Sequence, residues 1–347
     1  MKDIKYLAAF TLPLSAAVSL YLLGYWSYFT PFYAFVIIPV LELLLPQDGS
    51  NLDKNEKELK KNNALFDWLL YLNIPIVFGL LIYALWFVSF QSITLFEIIG
   101  LTLSIGIVLG TNGINVGHEL GHRIKTKERY LGKLLLLPSL YMHFYIEHNF
   151  GHHVHAATPE DPATAKYKQT VYSFWITSVI RQYINAWKLQ QKLLKQQNAP
   201  VLSPKNDMFW YVIIQLTYLL VIYLIFGQVG LLFAIGAALV GFLMLETVNY
   251  IEHYGLLRKK LASGRYERVQ EVHSWNSNHV VGRIVLYELT RHSDHHYKSS
   301  KKYQMLDYHE ISPQMPYGYP TSMVISFFPP LWFKLMNPRI PETMKTT

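Results

Sequence analysis

The sequence contains no cysteine. That excludes thiolate nucleophiles, disulfide frameworks, cysteine–zinc sites and any protein-ligated iron–sulfur cluster. Charge is also scarce: 16% of residues are Asp, Glu, Lys or Arg, against about a quarter in soluble domains. With 51% hydrophobic and 15% aromatic residues, disorder is ruled out. Two soluble domains, which a length of 347 would allow, are disfavoured as well. The charge present leans positive, a formal net +8, suited to an anionic membrane face or an acidic partner.

Long apolar runs set the fold class. A bilayer core of about 30 Å needs roughly 20 apolar helical residues, and six runs qualify: about 6–24, 25–46, 67–90, 94–117, 207–227 and 229–250. The first two meet at Gly24 to Trp26, the next two at Gln91-Ser92-Ile93 and the last two at Gly227-Gln228. A cleavable signal peptide is the rival reading of the first run, and the second run following at once argues against it. All 31 Lys and Arg fall at the N-terminus, in 47–66, in 118–206 or after 250. By the positive-inside rule both termini and both large connections are cytoplasmic. The prediction is an all-α integral membrane protein, one domain over 1–347, with three hairpins and a histidine-rich cytoplasmic cap from 118–206 and 251–347. Because the cations follow a membrane topology, no nucleic-acid partner is expected. Within the cap, Leu131 to Ile146 reads as a re-entrant or interfacial helix, 185–206 as an exposed helix and linker, and Pro329-Pro330 breaks the stretch Thr321 to Met336.

Nine of the 14 histidines fall into four short motifs. These are His118-Glu119-Leu120-Gly121-His122, Glu147-His148-Asn149-Phe150-Gly151-His152-His153, Asn249-Tyr250-Ile251-Glu252-His253-Tyr254-Gly255 and Arg291-His292-Ser293-Asp294-His295-His296. On a helix, positions i and i+4 share a face, so two imidazoles can reach one ion. One such pair arises readily by chance; four clusters at one membrane depth do not. Nine ligands exceed the four to six of a single ion, so two metals are expected, and imidazole suits zinc, copper, iron and nickel. Three readings compete. His118, Glu119 and His122 match the H-E-x-x-H signature of a membrane zinc protease, which needs only three protein ligands and would leave six of the nine histidines unexplained. A non-catalytic metal-binding membrane protein is a second. A carboxylate-bridged di-iron bundle needs two Glu-x-x-His pairs and finds only one.

These motifs resemble those of the integral-membrane alkane monooxygenases, relatives of xylene monooxygenase and, more distantly, of the membrane fatty-acid desaturases. The Asn249–Gly255 motif is the most discriminating, and Ala157-Thr158-Pro159-Glu160-Asp161-Pro162 and His273-Ser274-Trp275-Asn276-Ser277-Asn278-His279 match as flanks. Thr290 departs from a frequent Gln and leaves every ligand in place. The resemblance implies a non-haem centre of two iron ions held by His118, His122, His148, His152, His153, His253, His292, His295 and His296. It further implies O2 as co-substrate and terminal hydroxylation of a medium- or long-chain alkane taken from the bilayer. Electrons would come from rubredoxin (or a ferredoxin) with its NAD(P)H-dependent reductase, a separate protein since this chain has no cysteine, and the location would be a bacterial inner membrane. A fatty-acyl or alkylaromatic substrate is the alternative.

Nine neutral ligands leave the metal charge uncompensated, so carboxylates behind the rings are expected to offset it. Glu119, Glu147, Glu252 and Asp294 lie within the motifs, and Glu246 is a costly acid inside a span. Counting back from His118 by 4, 7 and 11 residues gives Ile114, Thr111 and Ile107, with Leu103 beyond, as a candidate substrate channel. His143, His155, His273, His279 and His309 are expected to make hydrogen bonds or lie at the surface.

Overall fold

The computed structural model describes residues 2–345; Met1, Thr346 and Thr347 of the expected domain lie outside the described residues. Eight helices position the site: α1 (Asp3–Leu22), α2 (Gly24–Leu44), α3 (Ala64–Phe90), α4 (Leu95–Gly121), α5 (Thr126–Leu136), α6 (Val171–Gln196), α7 (Asp207–His253) and α8 (His292–Tyr297). Among the described residues the β contribution is limited to isolated bridges. α1 to α4 and α7 are long and apolar enough to cross a bilayer. They carry large apolar side chains on their outer surfaces, such as Leu14, Leu216 and Leu224. This is an integral membrane protein.

α7 spans 47 residues. A straight helix of that length would reach about 70 Å, more than twice a bilayer core. Gly227 breaks it with φ 67° and ψ −165°, a backbone that glycine adopts without steric cost. The break lies at the boundary expected between the fifth and sixth runs.

The chain divides into two compact units. The first comprises Met1–Val36, Ala64–Glu147 and Tyr183–Leu245. In a bilayer every polar group must find its partner inside the protein, and this unit does so through small side chains. Ser104 donates to the Ser27 carbonyl at 2.8 Å, while Ser15 and Ser19 meet Thr30 at 3.2 and 3.3 Å. The Asn112 amide donates to Asn73 Oδ1 at 2.7 Å and to the Ala9 carbonyl at 3.2 Å, joining α4 to α3 and α1. At the start of α4, Thr94 and Glu97 form a capping box. Glu97 also accepts the Gly24 N–H at 2.8 Å, fixing the α1–α2 turn.

α5 lies against α4 through glycines: a β-carbon on Gly132 would stand 2.7 Å from the Gly117 carbonyl. This contact fixes the helical turn that carries His118. The expected single helix over Leu131 to Ile146 does not form. α5 ends at Leu136, Leu140 takes a left-handed φ of 53°, and a short helix resumes at Phe144–Glu147. Pro138 is the reason, since its ring and missing N–H stop a helix.

The second unit comprises Ile37–Asn63, His148–Gln182 and Glu246–Thr347. Its helices are short, and buried polar bonds hold it together. Trp275 N–H donates to the Glu252 carbonyl at 2.8 Å, and Gly255 N–H to the Ala165 carbonyl at 2.9 Å. Gly282 N–H donates to Glu42 at 3.1 Å, and Arg283 pairs with Glu288 at 2.7 Å. The expected break at Pro329-Pro330 separates helices Tyr319–Ser326 and Pro329–Met336. α6 begins at Val171, earlier than the helix expected from about 185.

Candidate metal centre

In the first unit, His118 and His122 sit at the end of α4 with perpendicular rings whose centroids are 4.7 Å apart. Between them Glu119 is tied to Arg123 at 2.9 Å, and Arg123 also binds Asp67 at 3.0 Å. A carboxylate held in a buried guanidinium pair is a poor general base, which weighs against the protease reading.

The path to His118 is not a plain helix. Leu109–Ile114 forms a π turn, which inserts a residue per turn and rotates everything before it. Counting back from His118 at 3.6 residues per turn therefore does not place Ile114, Thr111, Ile107 and Leu103 on one straight stripe. Ile107, Thr111 and Ile114 are buried, Leu103 is half-buried, and Thr111 donates to the Ile107 carbonyl at 2.8 Å.

Two sets of imidazole nitrogens converge within the second unit. In one, ligand atoms of His148, His153 and His295 lie within 4.8 Å of one another. In the other, His152, His253, His292 and His296 do the same, and all four are buried. Here His296 Nε2 lies 3.2 Å from that of His152 and 2.8 Å from that of His292, which is 3.1 Å from that of His253. Local helix geometry sorts the ligands. His148–His152 is a π turn, in which residues five apart share a face. His148 and His153 accordingly meet Nε2 to Nε2 at 3.0 Å, and His152 turns to the other set. In α8, His292 and His296 are one α turn apart and pair, while His295 leaves for the first set.

These donors fit a transition metal. They are imidazoles gathered into two sets, and burial pushes His295 down to about 3, so it stays unprotonated and able to ligate. Asp161 supplies a negative charge behind them. Its Oδ2 accepts from His152 Nδ1 at 2.9 Å and from the Thr164 hydroxyl at 2.6 Å, and its Oδ1 accepts the Ala163 N–H at 3.0 Å. Burial opposes ionisation here, but the His152 imidazole and these bonds outweigh it and hold the carboxyl below its usual range. Sequence reasoning placed Asp161 only in a matching flank; a carboxylate nine residues from its partner has no local signature.

The other acids take different places. Asp294 accepts from Lys301 Nζ at 2.6 Å, His309 Nε2 at 2.9 Å and the Asp307 N–H at 2.7 Å. Glu246 is bound by Ser178 at 2.6 Å and by the Gln182 amide at 2.8 Å. In the first unit, Glu147 accepts from Asn185 at 3.2 Å. Glu252 Oε2 lies 3.3 Å from His292 Nε2. Among the remaining histidines, His273 meets Glu267 at 3.3 Å and His279 meets Ser277 at 2.8 Å.

His143 is buried beside Tyr141 and Tyr183, with ring centroids at 4.3 and 5.2 Å. Burial pushes its pKa from 6.5 down to about 3. A base with a depressed folded pKa takes up protons on unfolding, so it opposes folding as pH falls below its unfolded value. His143→Phe is expected to flatten the acid loss of stability, by about 2 kcal/mol at pH 5. Thermal unfolding of both proteins between pH 5 and 8 measures this; parallel curves would refute it.

The fold and these nitrogens define a helical membrane protein with a histidine-built metal centre. The Fatty acid desaturase family matches residues 95–325. The chain is 37% identical to alkane 1-monooxygenase 2 of Pseudomonas aeruginosa, over 91% of this chain and 84% of the relative. It is 38% identical to alkane 1-monooxygenase 2 of Alcanivorax borkumensis, over 91% and 83%. To the xylene/toluene monooxygenase hydroxylase component of Pseudomonas putida it is 28% identical, over 92% and 84%. The chain belongs to the integral-membrane alkane monooxygenase family, and it is an oxidoreductase of the monooxygenase type.

Proposed function

We propose that this enzyme hydroxylates the terminal carbon of medium- or long-chain alkanes, with O2 as co-substrate. The observation that carries the reading is the gathering of seven histidines of the second unit into two separate donor sets. His152, His253, His292 and His296 would hold one iron. His148, His153 and His295 would hold the other. Bound iron supplies oxygen activation and attack on an unreactive C–H bond.

The residues do the rest. Asp161 keeps the His152 Nδ1 proton in place, so that Nε2 is free to ligate. Arg123 neutralises Glu119 near the ligand pair. The apolar surroundings of α4 exclude water from the reacting carbon. The reading extends to six spans in three hairpins with a cytoplasmic cap, in a bacterial inner membrane. This rests on the break at Gly227 and on the distribution of Lys and Arg. Rubredoxin with its reductase, or a ferredoxin, would supply electrons to the basic face.

The test is expression with rubredoxin and its reductase, feeding alkanes of graded length. Terminal alcohols are expected; no alcohol from any alkane, with iron loaded, would redirect the reading to fatty-acyl or alkylaromatic substrates. For the channel, Ile107→Trp or Thr111→Trp is expected to shorten the longest chain accepted. An unchanged product profile would remove these residues from the substrate path.

A further inference from the structure

We propose that Glu252 is itself a metal ligand at the four-histidine set, through Oε2. The proposal rests on the metal-centre reading above and adds a donor to it. The sequence expectation put carboxylates behind the rings, accepting the Nδ1 proton as Asp161 does for His152. Glu252 instead approaches the other side: its Oε2 lies 3.3 Å from His292 Nε2. That nitrogen is the one turned toward His253 at 3.1 Å and His296 at 2.8 Å. A nitrogen that binds a metal carries no proton, so the approach is no hydrogen bond once the ion is present. Two donors each about 2.1 Å from one ion and 3.3 Å apart subtend about 100°, close to the angle between neighbouring coordination positions. The spacings among the histidine nitrogens are of the same size, so the oxygen continues their pattern.

The backbone holds Glu252 in this place. Its carbonyl accepts the Trp275 N–H at 2.8 Å, and the Trp275 indole donates to the Tyr254 carbonyl at 2.9 Å. The last turn of α7, which carries Glu252 beside His253, is thereby pinned. Charge argues the same way. Four imidazoles bring none to a divalent ion in a buried site, and one carboxylate oxygen offsets half of it at the shortest distance available.

The test uses the full chain in detergent or nanodiscs, loaded with Co(II) as the probe. The wild type is expected to show a carboxylate infrared band that shifts on loading. Glu252→Gln is expected to lose that shift and to release one of its two ions to a chelator at least tenfold faster, while the other leaves at the wild-type rate and reports an intact fold. Glu252→Asp keeps the charge but withdraws the oxygen by one methylene and should behave like Gln. A merely structural ion pair with His292 would be rescued by Asp. If the Gln variant does not fold, the Asp variant decides. Wild-type retention and an unchanged band in the variants would overturn the proposal, whereas a wild type that takes up no Co(II) would overturn the metal-centre reading and this ligand with it.

Discussion

His296→Ala is expected to abolish hydroxylation and to leave about one metal ion per chain in place of two. His296 joins two donors of its set, at 3.2 Å from His152 and 2.8 Å from His292 by their Nε2 atoms. Removing it leaves three imidazoles and a gap in a fully buried pocket. A buried His→Ala change also removes packing, so His296→Asn, which fills more of the space, separates metal loss from unfolding. The set built on His148, His153 and His295 does not include His296. Its ion should therefore remain, and metal analysis would distinguish loss of one site from collapse of both. Retention of both ions in a folded His296→Ala protein would remove His296 from the ligand set.

The membrane class, the turn at Gly24, the break at Gly227 and the four histidine motifs were legible in the sequence, because each rests on composition or on a local signature. What was not legible traces mainly to π geometry. A pattern read at 3.6 residues per turn pairs His148 with His152; the π turn pairs His148 with His153 and sends His152 to another set. The π turn at Leu109–Ile114 bends the expected stripe through Ile107 and Thr111 in the same way. Nothing in an Asn-Phe-Gly sequence announces an extra residue per turn, since the insertion is stabilised by tertiary contacts and not by propensity. Pro138 was a visible stop inside an apolar stretch whose length suggested continuity. The partner of His152 was illegible for another reason: Asp161 reaches it across a turn that begins at Ala157, which holds a left-handed φ of 57°.

That last contact gives the second large effect. Asp161→Asn preserves the shape of the side chain and removes its charge, and the expected result is a 10- to 100-fold loss of metal affinity or activity. The carboxylate has two functions. It accepts the His152 Nδ1 proton at 2.9 Å, which fixes the tautomer that presents Nε2 to the metal. Its negative charge also stabilises the more oxidised, more positive state of the centre. The amide oxygen of Asn, placed where Oδ2 now lies, can still accept from both His152 and Thr164, but its NH2 then replaces Oδ1 and faces the Ala163 N–H, so the bond now made there at 3.0 Å is lost. The tautomer can thus survive while the charge cannot. The two contributions separate in the measurement: loss of charge raises the reduction potential of the loaded centre, whereas loss of orientation lowers metal affinity and leaves the potential of correctly loaded molecules unchanged. Asp161→Ala removes both and should lose more metal than Asp161→Asn. Wild-type affinity and potential in Asp161→Asn would show that neither the charge nor the Ala163 bond bears on the centre, and would confine Asp161 to accepting from His152 and Thr164.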